Sequence, residues 1–255
     1  MSNTNNFYLA VKPYQALAVD TIDKIAVIFQ KNSYDTQLLL SSKIPLIVAY
    51  YDELKDAEAI AGDLQRFGLN TLICREEELL SIQDNFQAHR CSFENESIIF
   101  WDTNNRAMNV GKGKISLIVV ASLSIPEQKK TIETKMKLDL TATLLTGGLP
   151  VVRRVRKEST QVSTNVERLI KLYDKKTTDF CIEIKQRGFN YSVLGNKIAP
   201  SSFINFTLLQ SMLTGFFTSA KVDESLKDFS TVNESAVDTF DVTSRLIYLF
   251  HKQGN

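Results

Sequence analysis

The sequence predicts an α+β protein, with an N-terminal βααβαβ sandwich followed by an antiparallel, barrel-like β domain and a capping C-terminal helix. Three observations lead there. Gln15 to Cys74 reads strand, helix, helix, strand, helix, strand; from Ala88 the apolar period changes from helical to alternating; and Pro200–Phe217 returns to a wide helical stripe. At 255 residues with 44% hydrophobic content, the chain has material for two cores of ordinary size.

The elements follow in order. Residues 1–14 read as an N-terminal tail. Gln15–Val19 is a short apolar run, and Asp20 or Thr21 can cap the amphipathic stretch Ile22–Phe29. Tyr34–Leu40 resumes the helical pattern, and Leu46–Tyr50 is a strand bounded by Pro45 and Asp52. Leu54, Ala57, Ile60, Ala61, Leu64 and Phe67 share one helical face, and Gly68 supplies the left-handed stop before the strand Asn70–Cys74. Together these make a module over 15–80, with a βαβ unit at Ile44–Cys74 that carries no glycine-rich phosphate loop.

A β-rich domain is expected over 86–218. Its strands are read at Ala88–Phe93, Ile98–Trp101, Ile115–Leu123, Val166–Tyr173, Phe180–Ile184 and Asn190–Leu194, with an excursion at 126–164. Either serine of Pro200-Ser201-Ser202 can cap the next helix. Its apolar stripe, from Phe203 to Phe217, covers more than half the circumference and calls for cover on two sides. Residues 219–255 form a polar spacer, Lys221–Asn233, and a last amphipathic helix around Val242–Phe250.

Gln15–Cys74, with Asp23–Ile28 in its first helix and Leu54–Gly68 in its last, resembles the C-terminal domain of the bacterial ribosomal stalk protein. The resemblance implies a shape. That family's glycine- and lysine-rich recruiting segment has no counterpart at Lys31–Thr36. Ala88–Leu194 followed by Ser201–Phe217 resembles a pleckstrin-homology-like barrel split by an insertion. The whole chain is similar to a family of bacterial proteins that carries segments like Glu167-Arg168-Leu169, Phe189-Asn190-Tyr191-Ser192 and Pro200-Ser201-Ser202 in this order, a similarity that implies no activity.

Thirty basic residues against twenty-nine acidic ones give a net charge of +1, so no global field draws in nucleic acid or an anionic membrane. Three widely spaced cysteines, Cys74, Cys91 and Cys181, point to a reducing compartment, the cytosol. The start lacks a cationic n-region, and the longest apolar run, Ile115–Pro126, is too short to span a bilayer.

Chemistry-bearing residues are sparse. His89 and Cys91 share a strand face, but no metal-ligand spacing surrounds them, and burial is the plainer reading for the cysteines. His251 reads as a surface residue, and no nucleophile elbow, Walker loop or dinucleotide fingerprint occurs. No catalytic residue, metal or cofactor is assigned. The strongest polar feature is Arg153, Arg154, Arg156 and Lys157, which serve either as a solvated linker or as a patch for RNA or membrane phosphates. The function expected is non-catalytic binding or scaffolding with a protein partner; the alternatives are an anion-directed module that binds RNA or membrane phosphates through residues 153–157, and a carboxylate-based enzyme in a cleft between the modules.

Overall fold

The computed structural model describes residues 6–13, 17–80, 84–138, 152–176, 180–230 and 236–254; within them only the backbone is described for 13, 80, 84, 124–138, 152–165, 228–230 and 236–239. The chain is α+β. It divides into two compact units, one of Met1–Leu123 with Glu167–Asn255, the other of Ser124–Val166.

The first module of the larger unit is β1 (Phe7–Pro13), α1 (Val19–Phe29), α2 (Ser33–Leu40), β2 (Leu46–Tyr51), α3 (Leu54–Arg66), β3 (Leu69–Arg75) and the short α4 (Glu76–Leu80). The expected element order holds, but the first strand is Phe7–Pro13; of the expected strand Gln15–Val19, Gln15 and Ala16 lie outside the described residues and Val19 opens α1. What reads as a tail is the central strand, paired antiparallel to both β2 and β3. The physical reason lies in burial: Leu9, Ala10 and Val11 are all fully buried, so this strand needs an unbroken apolar run and shows little alternation.

Helix α3 lies on this sheet through Ala57, Ala61 and Leu64. Its small residues bring the helix axis close, and Leu64 joins Leu9, Val11, Ile25 and Leu69 in one core. Gly68, at φ 82°, ends the helix in the left-handed conformation that its sequence position predicts.

The second module contains β4 (Asp84–Ala88), β5 (Arg90–Phe93), β6 (Ser97–Trp101), β7 (Ala107–Gly111), β8 (Ile115–Leu138), β9 (Val152–Asp174), β10 (Phe180–Lys185), a 3₁₀ segment (Tyr191–Lys197), α5 (Ser202–Phe216) and β11 (Lys221–Ser230). Strands β5, β6 and β7 form an antiparallel meander, and a second sheet runs β11-β8-β9-β10-β4. The β4–β10 pair is parallel, an exception to the antiparallel pairing expected. Both sheets and α5 share a core that includes Phe86, Ile98, Phe100, Ile170, Ile182, Phe206 and Leu213.

Four further differences have local causes. Asn190–Leu194, read as a strand, lies at the start of a 3₁₀ segment because the Asn190 side chain accepts from the Ser192 amide at 2.9 Å and caps the turn. Lys221–Ser230, read as spacer, is β11; among its described side chains only Leu226 is buried, too few to signal a strand. The excursion at 126–164 carries the distal parts of β8 and β9. Helix α5 buries Phe206, Leu209 and Leu213 on one side while Phe203 and Ile204 stay exposed, so it is not covered on two sides.

Helix α6 (Ala236–Gln253) closes the fold, touching α4, β3 and β11. No helix among the described residues is long and apolar enough to cross a membrane.

Candidate functional site

Beside β5 runs an open groove of about 510 Å³, walled by Arg90, Ser92 and Phe93 of β5, Trp101 of β6, Val193 of the 3₁₀ segment and Met212 of α5. Strand β5 is one of the two outer strands of its sheet. The hairpin is closed by the Glu94 amide on the Ser97 carbonyl at 2.8 Å, and the register pairs Phe93 with Ile98 and Cys91 with Phe100. Antiparallel ladders alternate hydrogen-bonded and non-bonded pairs. The backbone groups of Cys91 and Phe93 therefore point away from β6, toward the groove side.

The walls are held firmly. The Arg90 guanidinium lies 4.4 Å from the Trp101 ring centroid and donates to Asn105 Oδ1 at 3.4 Å. Phe93 meets Phe216 edge-on at 5.7 Å, and the Asn190 amide donates to the His89 carbonyl at 2.7 Å, tying the 3₁₀ segment to the head of β5. An apolar floor, a cationic end and an open strand edge suit an extended polypeptide.

A second feature lies on the opposite face of the five-stranded sheet. Ile170, Leu172, Ile182 and Ile184 face the shared core, so alternation sends Lys171, Tyr173, Cys181 and Glu183 to the other side. There α6 covers them. Lys171, 2% exposed, pairs with Asp241 and lies 3.7 Å from Glu183. Tyr173 donates to Ser244 Oγ at 2.9 Å, which donates to the Asp241 carbonyl at 2.9 Å, and Tyr248 stacks on Tyr173 at 4.7 Å. Arg245 donates to the Glu78 carbonyl at 3.0 Å, tying α6 to the first module. Every charge in this seat has an opposite charge or hydrogen-bond acceptor beside it, which makes it a structural anchor for the helix.

The cysteines are core residues. Burial pushes the thiols of Cys74, Cys91 and Cys181 up to about 12, so all three remain protonated near neutral pH and are weak nucleophiles. Cys181 donates to Asn85 Oδ1 at 2.7 Å. Cys91 packs with Ile98 and Phe100, two residues from the half-buried His89. Among the described residues no three His, Cys, Asp or Glu side chains gather as a metal site.

Arg153, Arg154, Arg156 and Lys157 lie on β9, and their side chains fall outside the described residues. Sequence reasoning did not find the β5 groove, because its lining comes from four segments and only Arg90–Phe93 and Trp101 sit in strands that the alternation reveals. No family model, curated protein or solved structure matches this chain.

Proposed function

We propose that this chain is a non-catalytic binding or scaffold protein of the cytosol, and that an extended segment of a partner protein docks along β5. The observation that carries the reading is the groove: an outer strand with outward backbone groups at Cys91 and Phe93, beside an apolar wall from Val193 and Met212. Main-chain pairing would supply affinity, and the pocket beside Arg90 and Trp101 would choose the side chain. The resemblance of the sequence over residues 88–217 to a pleckstrin-homology-like barrel supports a binding role, and the three unpaired cysteines fit a reducing compartment.

Selection of displayed random peptides on the full chain tests this. Extended sequences should emerge, their affinity should fall about tenfold or more in Met212→Trp, which fills the groove, and the Cys91 and Phe93 amides should gain hydrogen-exchange protection on binding. A selection that returns no peptide, or peptides that bind folded Met212→Trp equally well and leave those amides unprotected, overturns the proposal.

A further inference from the structure

A separate groove of about 720 Å³ lies where the start of β8, the turn after β9, the α5–β11 connection and the end of α6 meet. Its lining includes Lys175, Lys221, His251 and Lys252, with the hydroxyl-bearing Ser116 and Ser219. Four other lysines of the same module lie beside carboxylates, Lys112 by Glu96, Lys114 by Asp174, Lys185 by Glu183 and Lys227 by Glu224, whereas Lys176 and Lys197 join no ion pair among the described residues. Among the described residues no ion pair joins Lys175, Lys221 or Lys252 to a carboxylate.

Cations at a helix C-terminus are ordinary complements of the helix dipole, which accounts for His251 and Lys252. It does not account for Lys175 and Lys221, brought to the same place by other segments. Like charges around one concavity repel one another and raise the local concentration of anions. The field acts on His251 itself: burial first, then Lys221, and more weakly Lys12, hold its imidazole below the usual range, against Asp223 and a backbone hydrogen bond with Ser116.

We propose that this groove binds a phosphate group, carried either by a free phosphorylated small molecule or by a lipid headgroup. Lysine ammonium groups act as adjustable point charges toward phosphate oxygens, and the Ser219 hydroxyl adds a neutral donor, that of Ser116 being given to the Tyr173 carbonyl at 3.5 Å. The site is independent of the β5 groove and of the peptide proposed there.

Calorimetric titration of the full chain with pyrophosphate, and cosedimentation with phosphatidylcholine vesicles containing phosphatidylglycerol, test it. The expected result is saturable pyrophosphate binding that weakens about tenfold or more in Lys175→Gln/Lys221→Gln, while Lys227→Gln, which removes a paired lysine from the same strand, leaves it unchanged. Vesicle binding lost in the same double variant, without pyrophosphate binding, assigns the phosphate to a lipid. Lys175 and Lys221 are exposed, so the double variant should melt as the parent does. Absence of saturable binding to both probes, or equal weakening by Lys227→Gln, overturns the proposal.

Discussion

Helices α3 and α6 each lie on a sheet, and they do so by opposite chemistry. Helix α3 presents Ala57, Ala61 and Leu64 to β1 and β3, an apolar seam whose contribution follows buried area. Helix α6 presents Asp241, Ser244, Arg245 and Tyr248 as well as Phe240 and Leu249, and its polar groups meet Lys171, Tyr173 and two backbone carbonyls. An apolar seam tolerates small slides of one element over another. A buried hydrogen-bonded seam does not, because each displaced group loses its partner in a low-dielectric setting. The last helix of the chain is thus held in one register against the second sheet and, through Arg245, against α4.

The largest expected effect breaks the polar seam. Lys171→Met leaves the largely buried Asp241 without its cation, and Glu183 with Lys185 alone, and should cost about 3–5 kcal/mol, read as a fall in the denaturant midpoint. Retention of wild-type stability would show that the seat is not an anchor. Leu64→Ala attacks the apolar seam and should cost roughly 3 kcal/mol, within the range for a fully buried leucine. Tyr173→Phe removes one hydroxyl and its bond to Ser244, with an expected loss of about 1 kcal/mol in the same measurement.

The comparison also has a pH arm. The His251 imidazole at the end of α6 is held below its usual range in the folded state, so the unfolded chain binds a proton more readily. Its contribution is fully present above the unfolded value of about 6.5 and is lost as pH falls through the folded value. Melting temperatures taken across that window should fall toward acid, and His251→Gln should flatten that part of the profile. The smallest effect lies on α2, where the buried Thr36 hydroxyl has no hydrogen-bond partner among the described residues; Thr36→Val should leave stability unchanged or raise it by up to about 1 kcal/mol.

Legibility in the sequence followed the chemistry of each seam. The α3 seam was readable because apolar residues at helical spacing and a terminal Gly68 are local signals. Helix α6 was readable as a helix, yet its polar seat was not, since Lys171 and Asp241 are seventy residues apart. Lys171 is an ordinary lysine in sequence until strand alternation places it opposite Ile170 and Leu172 under a helix. The β5 groove and the cationic groove share that difficulty, each drawing its lining from four segments.

By itself the sequence determined the α+β class, the order of helices and strands in the first module, the stop at Gly68 and the amphipathic nature of α5 and α6, because period and turn chemistry act over a few residues. Tertiary structure alone decided that Phe7–Pro13 is a central strand, that β4 pairs parallel with β10, and that Lys175, Lys221, His251 and Lys252 line one groove. Those outcomes depend on which surfaces meet, and pairing between distant segments leaves no period along the chain.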